Sequence, residues 1–314
     1  MHVRMNPESE IRNGFYISGE IKEIWNIQLD LASKLFDVCK RHNLKIWAEA
    51  GTLLGAVRHK GYIPWDDDMD FAMLRSDYDK LITLADEFED PYFLQCTYTD
   101  RGYARGHIQL RNSRTAAILP CDIWQSFNQG VFIDIFVLDE VSINREIWEP
   151  GVTEVNKRLS RIRQYSYQSL LNKNFKSFRK LFKTFIYFKS HSIREEFRLA
   201  ERAARSIPHG ENSILLDAMF CFDPSKAPLR KKEWFNEVIW VPFEDILIPI
   251  PSGYDEDLTE QYGDYLTPVK APTSHGNVIF DTRRPYTAVL KEMRAKLPLK
   301  ERLRGRFIPA RIRL

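Results

Sequence analysis

The run Trp65-Asp66-Asp67-Asp68-Met69-Asp70 leads into the apolar stretch Phe71-Ala-Met-Leu74, which places Asp68 and Asp70 at i and i+2 of a prospective strand. Alternate strand residues share a face, so the two carboxylates point the same way. Anions held that close repel each other, and a hard divalent cation such as Mg²⁺ or Mn²⁺ relieves the repulsion through its preference for oxygen ligands. Asp66 joins the pair if the strand begins early; a solvated loop is the alternative for Asp66 and Asp67. A third carboxylate from another strand would complete the set. Asp134, inside the apolar run Val131-Phe-Ile-Asp-Ile-Phe-Val137, is first choice because a charge there needs a partner, and Asp139 is second.

Upstream lies Glu49-Ala-Gly-Thr-Leu-Leu-Gly-Ala-Val-Arg58, followed by His59-Lys60-Gly61. Gly51 permits close backbone approach, and Thr52 brings a hydroxyl and an N–H to a helix start, where phosphate oxygens are favoured. Arg58 and Lys60 add cations nearby, for phosphate contact or as surface charges at a helix end. Read together, these residues make a metal-bridged phosphate site.

The elements that must position them follow from periodicity. Apolar residues at helical spacing over 21–42 predict an amphipathic helix, with a short strand at 45–48, a tight turn at 51–55 and a helix start behind it. Strands are expected at 69–74, 92–97, 106–110 and 131–137, with Ser76 capping a helix that runs to about Leu84. The stretch 152–205 is helical and basic, and its Phe175, Phe178, Phe182 and Phe185 recur every three to four residues, as a core stripe or a membrane-facing one. Prolines among the β-formers of 238–250 point to an edge hairpin, and a helix is expected at 282–296.

The 314 residues carry 46 Lys/Arg against 43 Asp/Glu, but the small balance of +3 is unevenly distributed. Residues 157–205 hold 14 basic side chains against 3 acidic, and 291–314 hold 9 against 2, so the remainder is acidic. Such a partition suits an acidic catalytic body with two cationic segments that can address an anionic surface. Aromatic residues at helical spacing fit a packed or interfacial helix better than a base-stacking platform, so no nucleic-acid partner is expected. Cys39, Cys96, Cys121 and Cys221 match no metal-ligand spacing and read as buried thiols. With no apolar leader and no long uncharged run, the expectation is a cytoplasmic protein, with peripheral contact to the inner membrane face allowed.

The run Gly51-Thr-Leu-Leu-Gly-Ala-Val-Arg-His-Lys-Gly-Tyr-Ile-Pro-Trp-Asp-Asp-Asp-Met-Asp70 resembles the signature of the LicD family, related to fukutin and fukutin-related protein. The resemblance continues through Leu110-Arg-Asn-Ser113 with Thr115, Gly130 to Asp139, and Tyr262-Gly-Asp-Tyr265. It implies an α/β (α+β) fold with a nucleotidyltransferase-like mixed sheet and flanking helices, in one catalytic unit spanning 1–314. Within that unit the expected parts are a core at 20–144, a basic helical insertion at 145–210, a completing part at 211–297 and a basic tail at 298–314.

The activity implied is transfer of phosphocholine or a similar phosphorylated group from a CDP-linked donor to a hydroxyl of a cell-surface glycan or lipid-linked precursor. On this chain the resemblance carries over Asp68 and Asp70 as metal ligands, Asp134 as the third carboxylate, and Gly51 with Thr52 as the phosphate turn. Arg58, Lys60 and Arg111 are the candidate phosphate clamps. The chain departs from the family pattern at Glu49-Ala50 and at Pro268-Val-Lys-Ala-Pro272. The same site would also serve a nucleotidyltransferase moving NMP from NTP to a protein or small molecule, and a non-catalytic glycan- or membrane-binding protein is the alternative from outside enzymology.

Overall fold

The computed structural model describes residues 5–169, 175–210, 213–269 and 277–308. In chain order a hairpin of β1 (Glu10–Arg12) and β2 (Phe15–Ile17) precedes α1 (Gly19–Arg41), β3 (Trp47–Ala48), α2 (Ala50–His59), β4 (Asp70–Leu74) and α3 (Arg75–Thr83). Then come β5 (Tyr92–Gln95), β6 (Ile108–Asn112), β7 (Ala116–Ile118), the long β8 (Val131–Ser142), and the helices α4 (Arg145–Tyr167), α5 (Phe175–Ser190) and α6 (Ile193–Arg205). The chain continues through β9 (Ser213–Leu216), β10 (Arg230–Lys231), β11 (Val238–Phe243), β12 (Ile246–Pro251), α7 (Tyr254–Tyr262), β13 (Ile279–Asp281), α8 (Tyr286–Lys296) and α9 (Leu299–Arg306).

Among the described residues the largest sheet has seven strands and is mixed, with β8 as its spine. Its first half pairs with β6 antiparallel on one side and β4 parallel on the other, and its end pairs with β9. Phe71, Ile133 and Ile135, all buried, pack with Trp25, Leu35 and Val38 of α1 in one continuous core. The opposite face, where Asp70, Asp134 and Gln109 align across three strands, is left for α4 to cover.

Several expectations shift in detail. Gly51 to Gly55 lies inside α2, so the turn sits one residue earlier, where Ala50 takes φ +47°, the left-handed region that costs a side-chain-bearing residue about 1–3 kcal/mol. Asp68 precedes β4 and reaches its neighbours from a loop, not from the strand. Ser76 lies within α3, whose N-cap position is Leu74. Cys39 and Cys96 are buried as expected, but Cys121 is exposed, because it lies in a single helical turn at the cavity rim. Phe175 falls where no side chain is described, and Lys270 to Pro272 lie outside the described residues. Among the described residues no helix is long and apolar enough to cross a membrane.

Candidate active site

The start of α2 and the start of β4 are locked together by two hydrogen bonds. The Asp70 N–H donates to Thr52 Oγ1 at 2.8 Å, and the Glu49 N–H donates to the Asp70 carbonyl at 2.9 Å. Thr52 is buried, so its hydroxyl is committed to fixing the strand entry. Gly51 leaves room for Asp66: a Cβ there would lie 2.7 Å from Asp66 Oδ2. The close approach foreseen at Gly51 therefore serves a carboxylate of the chain itself.

Helix α1 pins the aspartate loop from below. Trp25 Nε1 donates to the Asp66 carbonyl at 3.1 Å and Gln28 Nε2 to the Asp67 carbonyl at 2.8 Å. Tyr62 stacks on Trp25 at 4.4 Å and donates its hydroxyl to Gln28 Oε1 at 3.0 Å. With the Asp66 and Asp67 carbonyls tied down, Asp66, Asp67 and Asp68 bring one carboxylate oxygen each to within 4.8 Å of one another.

Asp70 and Asp134 are direct register partners in the parallel pairing of β4 with β8. Asp134 is in turn opposite Gln109 of β6, whose Nε2 donates to Asp134 Oδ1 at 2.6 Å, and His107 Nε2 lies 3.4 Å from the same oxygen. The Asp70 carboxyl is pushed well above its ordinary range, first by burial and then by the negative charges of Asp68, Asp134, Asp66 and Glu49. A place where several carboxylates crowd Asp70 in this way fits a hard divalent cation, which takes oxygen donors and cancels the repulsion.

Asp68, Asp70 and Asp134 all face one cavity of about 700 Å³, a volume within the usual range for small-molecule sites. Its far wall is the second half of α4, including Ile162, Arg163 and Tyr167, and its apolar side carries Phe132, Phe136, Phe220 and Phe222. The rings of Phe136 and Phe220 lie 5.2 Å apart, with the His107 ring 5.0 Å from Phe136. Arg163 sits 5.1 Å over Phe222 and has no carboxylate partner among the described residues, whereas Arg105 is held by Asp122.

Glu49, which looked out of place beside the glycine, closes the cavity floor through a buried ionic cluster. Arg230 grips both Glu49 oxygens at 3.0 and 2.9 Å and both Asp257 oxygens at 2.7 and 2.8 Å. Burial raises the Glu49 carboxyl while Arg230 opposes that rise.

The structure therefore lines one cavity with Asp68, Asp70 and Asp134, while the carboxylates that cluster within 4.8 Å among the described residues are those of Asp66, Asp67 and Asp68, and it leaves the expected phosphate cations elsewhere. Arg58 and Lys60 lie at the far end of α2: at 1.5 Å per residue, Arg58 is about 12 Å along the axis from Ala50. Arg58 donates to the Tyr265 carbonyl at 2.7 Å and to His59 Nε2 at 2.9 Å, and Lys60 forms the left-handed C-cap. Arg111 is buried within β6, which runs to Asn112 and so past the expected strand end at 110. It donates to Gly130 O at 2.6 Å and to Gln95 and Gln109, and burial, then the charge of Arg105, pushes its pKa down to about 10. Arg111 thus steadies Gln109, which holds Asp134. Asp139 is engaged by Arg75 at 2.8 and 2.7 Å and does not line the cavity, which leaves Asp134 as the third carboxylate on the wall.

His107, Gln109, Arg163, Phe220 and Arg230 were not foreseen. Gln109 alone had a usable signal, since it sits two residues before Arg111 on the same strand face.

Comparison with known proteins follows this geometry. Residues 43–150 match the family model for the LicD/FKTN/FKRP nucleotidyltransferase domain, a stretch that holds β3, α2, β4 and β8 with Asp68, Asp70 and Asp134. The lipopolysaccharide cholinephosphotransferase LicD of Haemophilus influenzae is 26% identical over 254 residues, covering 78% of this chain and 91% of that protein. Shorter matches join it to two uncharacterised rickettsial proteins. One, from Rickettsia prowazekii, is 45% identical over 53 residues, 17% of this chain and 20% of its own length. The other, from Rickettsia typhi, is 51% identical over 41 residues, 13% of each. Residues 43–150, with the site just described, are thus similar to the LicD/FKTN/FKRP nucleotidyltransferase domain.

Proposed function

We propose that the protein is a metal-dependent phosphotransferase that moves phosphocholine, or a similar small phosphorylated group, from a CDP-linked donor to a hydroxyl of a cell-surface glycan or its lipid-linked precursor. Similarity to the Haemophilus cholinephosphotransferase along 91% of that protein supports a transferase of phosphorus-containing groups. The observation that carries the reading to a site is the Asp70–Asp134 pairing at the base of a ligand-sized cavity, with Asp68 beside it.

Asp68, Asp70 and Asp134 are the residues that would hold Mg²⁺ or Mn²⁺, and such an ion would neutralise charge on the donor diphosphate and on the departing CMP. The protein's own contribution is placement. Thr52 fixes the backbone of Asp70, and Gln109 fixes the Asp134 carboxylate. A free aspartate is a weak base, with a pKa of about 3.9, so Asp134 would serve as proton acceptor only for a hydroxyl held against it, and orientation and charge neutralisation outweigh proton abstraction. Arg163 is the cavity guanidinium available for a phosphate oxygen, in place of Arg58, Lys60 and Arg111. The ring-lined side around Phe136 and Phe220 suits a methylated cation, which aromatic faces attract, better than a strongly hydrated polyol.

Incubation of the purified chain with Mg²⁺ and a panel of CDP-linked donors, reading CMP release with and without glycan acceptor, tests this. Acceptor-dependent CMP release is expected, strongest with CDP-choline. Pyrophosphate release from an NTP, with no CMP from any donor, would replace the reading with nucleotidyl transfer.

A further inference from the structure

Two helices far apart in sequence expose the same pattern. On α5, Phe178, Phe182 and Ile186 recur at i, i+4 and i+8, and on α9 so do Leu299, Leu303 and Phe307. All six are 39–64% exposed, although large apolar side chains on a soluble surface are normally scattered singly. The α5 stripe is not a misplaced core face. Leu181 and Phe188 of the same helix are buried, so the apolar arc of α5 continues from the core side out into solvent.

Cations border both stripes. Arg179, Lys180 and Lys183 of α5 are exposed and have no carboxylate partner among the described residues, and the same holds for Lys300, Arg302 and Arg306 of α9. At about 100° per residue, the exposed apolar positions of α5 span an arc of about 80°, and Arg179 and Lys183 occupy the next sector. Apolar residues inserted between unpaired cations suit an interface with acyl chains below and anionic headgroups beside them.

Both helices attach to the part of α4 that walls the cavity. Phe188 of α5 packs on Tyr165 at 4.4 Å, and Ser169, just past α4, donates to the Arg304 carbonyl of α9 at 2.9 Å. We propose that α5 and α9 together form a docking surface for an anionic lipid bilayer, which holds the mouth of the cavity at the membrane where a lipid-anchored acceptor would lie. The docking itself does not rest on the proposed reaction; only its use in acceptor delivery does.

Vesicle flotation of the full chain tests the surface without using activity. With equal parts phosphatidylcholine and phosphatidylglycerol the protein floats, with phosphatidylcholine alone it stays at the bottom, and added salt weakens the association. The combined Phe178→Ser, Phe182→Ser and Ile186→Ser variant, with unchanged thermal unfolding, should lose at least about tenfold in bound fraction. The Leu299→Ser, Leu303→Ser variant should lose a similar share. Arg179→Gln with Lys183→Gln should weaken binding about fivefold per cation removed and decides the matter if an apolar variant misfolds. Equal flotation of wild type and the charge variant, equal binding to both vesicle types, or no flotation at all would overturn the proposal.

Discussion

The cavity wall and the α5–α9 surface use the same residue types to opposite ends. On the wall, charges are supported by neighbours from other elements: Asp134 by Gln109, and Glu49 and Asp257 by Arg230. On the outer helices the cations are left exposed beside exposed rings. A buried charge must be paired to be tolerated, so the wall is costly to build and rigid once built. A solvent-facing cation costs almost nothing to leave unpaired and remains available to an anion from outside. The contrast separates a region shaped for positioning from one shaped for attachment.

The sharpest way to break the comparison is Arg230→Met. It leaves Glu49 and Asp257 buried without their shared counter-charge, and a loss of about 3–5 kcal/mol of stability is expected in chemical unfolding. A loss near zero would mean the wall is not organised by that cluster. Next in size is Gly51→Ala, whose Cβ would press on Asp66 2.7 Å away. Rotation of the Asp66 carboxylate beside Asp67 and Asp68 should lower kcat/KM by up to about tenfold with little change in unfolding.

The third prediction concerns pH. Burial, and then Asp139, raises the Asp217 carboxyl well above its usual 3.8, so the folded chain keeps a proton there that the unfolded chain releases. Stability should therefore fall as pH rises from about 4 through the folded value. Asp217→Asn keeps the oxygen that accepts from Met219 and Phe220 and should flatten that part of the slope, gaining on wild type at pH 7 relative to pH 4. An unchanged slope of Tm against pH would refute it. The smallest effect belongs to the outer surface: Phe178→Ser with Phe182→Ser should shift folding stability by less than about 0.5 kcal/mol per site, because neither ring is buried.

The wall positions of Asp70 and Asp134 were legible because a short-range rule governs them, acid interrupting apolar strand periodicity, whereas Asp68 reaches the cavity from the loop before β4, which that rule does not encode. The α1 helix and the β11–β12 hairpin were legible from local pattern as well, whereas the mixed sheet was expected from the family resemblance. Arg111 was misread as a clamp because β6 extends to Asn112, which puts its side chain in the strand interior instead of a loop. Arg58 and Lys60 are near the aspartates in sequence but at the wrong end of a ten-residue helix. Arg163, Phe220 and Arg230 depend on how α4 and the β9–β10 segment fold back over the sheet, and no local pattern encodes that. The phenylalanine stripe allowed a core or an exposed face, and α5 uses both.

CMP release from CDP-choline, titrated with Mg²⁺ in wild type and in Asp70→Asn, tests whether Asp68, Asp70 and Asp134 form the cation-dependent centre. The variant keeps the size of the side chain and the backbone hydrogen bond to Thr52. Mg²⁺-dependent turnover in the wild type and a fall of about 10³-fold or more in the variant, with unchanged thermal unfolding, is the predicted result. Turnover in Asp70→Asn at the wild-type rate, with the same Mg²⁺ dependence, would contradict it.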